Sequence, residues 1–205
     1  MFDEYGPIPC DDWLARMDIT AHFLQSNPAQ SVFVSIAGSG ESSDWRWVLF
    51  QEGYMKGYLR DAWGIDISRV SFERSKPVNG MRIRVWTVPP VVPPPKGEPH
   101  TYDLQIPEDV KPFVWFYSGS KYPYPICAEW DGFESYTELL TANPTAKAHV
   151  VIATTSPEAF EKKKVDVAKK LVGIDSLRIR YFFEKYDDYP GFEFWIVPAK
   201  QKKSP

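Results

Sequence analysis

The sequence predicts an α+β protein made of two tandem β-α-β-α-β-β domains, each a mixed sheet packed on two helices. Three observations carry this. GIDISRVSF at 64–72 recurs as GIDSLRIRY at 173–181, and the same spacing pairs Trp86-Thr87-Val88-Pro89 with Trp195-Ile196-Val197-Pro198. Upstream, the Asn27-Pro28 pair and its apolar run return at Asn143-Pro144, and PCDDW at 9–13 returns as ICAEW at 126–130. Within each copy, short β-branched runs alternate with stretches whose apolar residues recur at helical spacing.

In the first copy, FDEYG at 2–6 is what remains of a first strand. Asp11 or Asp12 N-caps a helix carrying Trp13, Met17, Ala21 and Leu24 on one face. Asn27-Pro28 ends it, because proline disfavours helical geometry in the residue before it. SVFVSIA at 31–37 reads as a strand. A second helix runs from about Asp44 to Trp63, with Trp47, Phe50, Tyr54, Tyr58 and Leu59 available to one face. RVSFERS and MRIRVWTV then form a hairpin across KPVNG, whose Asn79-Gly80 is a turn signal. The second copy repeats the order. PFVWFY at 112–117 is a strand, a helix runs from Asp131 to Leu140, and a strand covers His149–Ala153. A helix over Pro157–Val172 follows, then strands Arg178–Lys185 and Phe192–Val197 around YDDYPG. The domains are thus 1–90 and 102–199, joined by a Pro-rich linker at 91–101, extended and semi-rigid, and followed by a basic tail at 200–205.

The bulk numbers exclude some classes. A net charge of −3 supplies no basic face for nucleic acid. No apolar run is long enough to span a membrane. His22, His100 and His149 share no metal-ligand spacing, so neither a metal nor a histidine-based catalytic site is expected, and no cofactor is implied. AGSGESSD at 37–44 lacks the Lys-Ser/Thr of a phosphate-binding loop and the pattern of a nucleophile elbow. Its small residues let the chain turn from strand to helix, with Ser42, Ser43 or Asp44 as N-cap. The paired acids Asp11-Asp12 and Asp187-Asp188 fall at caps and turns. Cys10 and Cys127 occupy equivalent positions in the two copies. A disulfide between them would suit an oxidising compartment; the other reading is two small buried hydrophobes.

The element order, the Asn-Pro before the second strand and the Gly-Ile-Asp-x-x-Arg before the last two strands resemble the OmpA-like domain. Members of that family anchor bacterial envelopes to peptidoglycan. In copy one the resemblance rests on FDEYG, ARMD, FLQSNP, GYLRDAWGIDISRV and VWTVPP; in copy two it rests on ANP, GIDSLRI and FWIVP. It implies a site in which an Asp after the second strand and an Arg in the second helix grip the ammonium and carboxylate of diaminopimelate. Counted from the anchors, the Asp position falls on Ser39 and on Thr155. The Arg position falls on Gln51 and, in copy two, within 160–164, where Lys163 offers a cation. Asp44 and Arg46 in the first copy offer a displaced pair.

The resemblance therefore implies a non-enzymatic, periplasmic or extracellular module with a protein partner in the envelope, a scaffold or accessory subunit of a membrane-associated assembly. The short first strand of copy one is expected from a longer precursor, signal peptide included, trimmed ahead of Met1; the other reading is that Met1 is native and the strand simply short. One alternative is a peptidoglycan-binding anchor with a displaced site. A glycan-acting enzyme is the other, and it would need paired carboxylates at the mouth of a cleft.

Overall fold

The computed structural model describes residues 1–40, 44–107, 110–118, 132–186 and 191–199. The chain divides into two compact units, Met1–Asp103 and Leu104–Pro205. Among the described residues there are four α-helices and two mixed four-stranded sheets. The first unit holds β1 (Asp3–Tyr5), α1 (Cys10–Ser26), β2 (Ser31–Ala37), α2 (Asp44–Gly57), β3 (Val70–Ser75) and β4 (Arg82–Val88). The second holds β5 (Phe113–Ser118), α3 (Phe133–Ala142), β6 (Lys147–Thr154), α4 (Pro157–Lys170), β7 (Ile179–Lys185) and β8 (Gly191–Val197).

The strand order is β1-β4-β2-β3 in one sheet and β5-β8-β6-β7 in the other. The register repeats as well: Ile36 lies beside Arg74 in the parallel β2–β3 pair, and Ile152 beside Phe183 in the parallel β6–β7 pair. The expected hairpins do not form. β4 pairs with β1 and β2 and never with β3, so KPVNG carries the chain across β2 rather than back along β3. The reason lies in β2, which is buried along nearly its whole length, so its backbone groups need a paired strand on each edge.

Other expectations shift locally. Asp11 and Asp12 sit in the first turn of α1 and favour its positive end, while the cap position is Pro9, without a side-chain bond. The second helix is α-helical only to Gly57 and continues as a π-turn at Tyr58–Ala62. Its buried apolar and aromatic side chains are Trp45, Val48, Leu49, Tyr54, Met55, Tyr58 and Leu59, whereas Trp47 and Phe50 are half-buried. The tail at 200–205, the start of the third helix at Asp131 and the Asp187-Asp188 turn lie outside the described residues.

Each unit has its own core. In the first, Trp13 of α1 packs on Tyr54 of α2 and Tyr58 of the π-turn, ring centres 4.1 and 5.6 Å away, and Val32, Val34 and Ile36 of β2 are fully buried. In the second, Phe194 stacks on Phe116 at 4.1 Å and meets the edges of Tyr136 and Phe133. Rings of this size fill a small core with few residues.

Part of the proline-rich stretch belongs to the first unit. Lys76 N–H donates to the Glu98 carbonyl and His100 N–H to the Arg74 carbonyl, so this segment pairs antiparallel along the outer edge of β3. A Cβ at Gly97 would fall 1.8 Å from Glu73 Oε1, so a larger residue there requires the Glu73 carboxylate to swing aside.

Candidate functional site

The loop after β2 is held from two directions. Gly38 N–H donates to the Tyr102 hydroxyl at 2.8 Å, and that hydroxyl donates to the Ser75 carbonyl at 2.9 Å. Beneath it, the hydroxyls of Ser35 and Ser75 share a 2.6 Å hydrogen bond, and Ser75 Oγ also lies 2.6 Å from Glu73 Oε1. Ser39 follows, half-buried. The loop's first backbone donor is thus spent on a residue of its own unit.

The expected site residues are distributed as follows. Gln51 Oε1 accepts from Trp13 Nε1 at 3.1 Å, which commits its amide oxygen to α1. Arg46 is half-buried and its guanidinium lies 5.4 Å from the ring centre of its neighbour Trp45. Asp44 begins α2, and its side chain lies outside the described residues. In the second unit Thr155 is exposed, and Lys163 Nζ lies 5.8 Å from the Phe192 ring centre. Cys10 begins α1 as a disulfide-bonded cysteine, and Cys127 lies outside the described residues.

Among the described residues, one buried ionic cluster was not anticipated from the sequence. Glu52, buried in α2, accepts from Lys56 Nζ and from Arg74 Nε, each at 2.6 Å. Burial raises the proton affinity of its carboxyl, but the hydrogen bonds and charges of Lys56 and Arg74 outweigh that and hold its pKa below the ordinary value. The Glu52-Lys56 spacing of one helical turn was the available signal. On β1, Glu4 is likewise shared between Arg82 at 2.6 Å and Arg84 at 3.0 Å, and both arginines hold its pKa down.

The second unit keeps this geometry and changes its chemistry. Lys56 Nζ lies 5.2 Å from the Phe72 ring and Lys164 Nζ 5.9 Å from the ring of Tyr181, the matching strand position. One turn earlier in each helix stand Glu52 and Phe160; two residues later on each strand stand Arg74 and Phe183. The ion pair of the first unit is thus a ring pair in the second, with Phe160 and Phe183 5.7 Å apart. Matched in this way, Gln51 corresponds to Ala159, just before the window at 160–164 that holds Lys163.

The arginine of Gly-Ile-Asp-x-x-Arg has one task in both units. Arg69 donates to the carbonyls of Leu24, Asn27 and Gln30 at 2.8–3.1 Å. Arg178 donates to those of Leu140, Asn143 and Ala146 at 2.7–2.9 Å. Each guanidinium closes the negative end of the first helix of its unit, and the asparagine beside it reaches back to the carbonyl four residues earlier. The motif is therefore a structural clamp, recognisable in advance from its recurrence.

Among the described residues, no group of three His, Cys, Asp or Glu side chains is placed to hold a metal, and no helix is long and apolar enough to cross a membrane. The chain matches no protein-family model, and no curated protein matches it.

Proposed function

We propose that the protein is a non-enzymatic module of the bacterial envelope, a tandem OmpA-like scaffold that works through protein contacts. The observation that carries this reading is the chemistry at the two positions where an OmpA-like domain holds opposite charges. They bear Ser39 and Gln51 in one unit, with the Gln51 amide oxygen bonded to Trp13, and Thr155 and Ala159 in the other. A zwitterionic ligand end needs an acid and a planar cation, and neither is supplied there. The strand order and the disulfide-bonded Cys10 support an envelope setting, where such bonds persist.

Co-sedimentation with purified sacculi tests the reading. The chain is expected in the supernatant, and when isolated from solubilised envelopes at its native level it is expected within a larger assembly. Sedimentation with sacculi that free diaminopimelate reverses, or recovery from envelopes as the isolated chain, would overturn it.

A further inference from the structure

Most of the proline-rich stretch does not join the two units. It leaves β4 at Val88 and returns to bond with β3 through Glu98 and His100, all within the first unit. Residues 89–97 are therefore an arm tied at both ends to one sheet. Every residue of the arm is exposed, Val91 completely and Val92 by about half. Five of its nine residues are prolines. They supply no backbone donor and hold φ near the polyproline II value, so the arm is extended and narrowly confined without pairing as a strand.

The start of the arm is fixed further. Val92 N–H donates to the Pro89 carbonyl at 3.2 Å, closing a turn in which Val91 stands at φ 62°. A type II turn ordinarily gives that left-handed position to glycine, and a β-branched residue there is strained. Glycine would relieve the strain, yet the chain holds an isopropyl group there, wholly in solvent. Strain of this kind collects where a side chain is displayed for contact. Beyond the turn, Pro93-Pro94-Pro95 leads to Lys96, which is exposed and forms no ion pair among the described residues. A preformed segment of this chemistry fits a groove lined by aromatic rings, where prolines and valines dock at little cost in ordering. The Lys96 ammonium calls for a carboxylate at the end of that groove.

We infer that residues 89–96 are a docking arm for a protein partner that offers an aromatic-lined groove with an acidic end. This rests on the scaffold reading for the claim that the chain works through protein contacts. In solubilised envelopes, the full chain carrying benzoylphenylalanine at position 92 should crosslink to a partner site that holds Trp or Tyr beside Asp or Glu. Excess synthetic peptide PPVVPPPK should lower the crosslinked fraction at least about tenfold. Val91→Gly should unfold at the same denaturant concentration as wild type, since relieved strain offsets the greater unfolded-state freedom of glycine. It should nevertheless be retained by the partner at least about tenfold less. Lys96→Glu should weaken retention too, and more strongly at low salt. A crosslink indifferent to the peptide, one mapped to a site without aromatic side chains, or full retention of both variants would overturn the arm and leave the scaffold reading standing. Recovery of the chain alone, with no crosslink, would overturn both.

Discussion

A guanidinium reaches the carbonyls of Leu24, Asn27 and Gln30 at once because it is flat and carries several donors in a fixed fork. An ammonium on a flexible stem cannot hold that arrangement. Arg178→Lys is therefore expected to cost about 2 kcal/mol in chemical denaturation of the second unit, since helix-end carbonyls are left without donors. A loss below about 0.5 kcal/mol would show the clamp to be dispensable. Glu52 gives a second expectation at this scale. Its folded-state pKa is depressed, so its stabilising contribution is complete above the ordinary value of 4.5 and is lost as pH falls through the folded value. Glu52→Gln should be less stable than wild type at neutral pH, and the gap should narrow steadily on acidification below about 4.5. A gap constant from pH 7 down to strongly acidic conditions would contradict the assignment.

Between elements, the α2–β3 and α4–β7 contacts solve one packing problem with two chemistries. Removing one partner of a buried ion pair strands the other, whereas replacing both with well-packed apolar groups is often neutral. Arg74→Phe alone should cost on the order of 2–3 kcal/mol. Adding Glu52→Phe, which copies the Phe160–Phe183 pair, should recover most of that; a double variant as unstable as the single one would sink the equivalence. Much at this scale was legible beforehand. The Asn-Pro pairs end both first helices, with Asn27 and Asn143 at the cap positions. The strand pairing was not legible from the turn. Asn79-Gly80 reports that the chain bends there, with Gly80 at φ 78°, but says nothing about which strand the chain joins next. The informative signal lay in SVFVSIA, apolar at positions of both faces, a pattern that favours an interior strand over an edge one.

Across the whole molecule, duplication was readable because its anchors are residues with structural tasks: capping asparagines, clamping arginines and core rings. The candidate site was less readable. Ser39 and Gln51 follow from counting, but the Tyr102 hydroxyl on Gly38 and the Glu52–Arg74 pair join residues far apart in sequence, and no local pattern announces them. The two units share a path and diverge in detail: Glu98–His100 pairs along the outer edge of β3, while Phe182 and Phe183 of β7 are exposed. The strand order has one more consequence. β1 pairs with β4 alone, and β4 is the last strand of its unit to be made. During synthesis β1 therefore waits for β4, whose Ile83–Val85 supply its register partners. The sheet cannot grow outward one neighbour at a time; its penultimate place must be filled by the latest arrival, which makes closure of the unit a late and non-local event in folding.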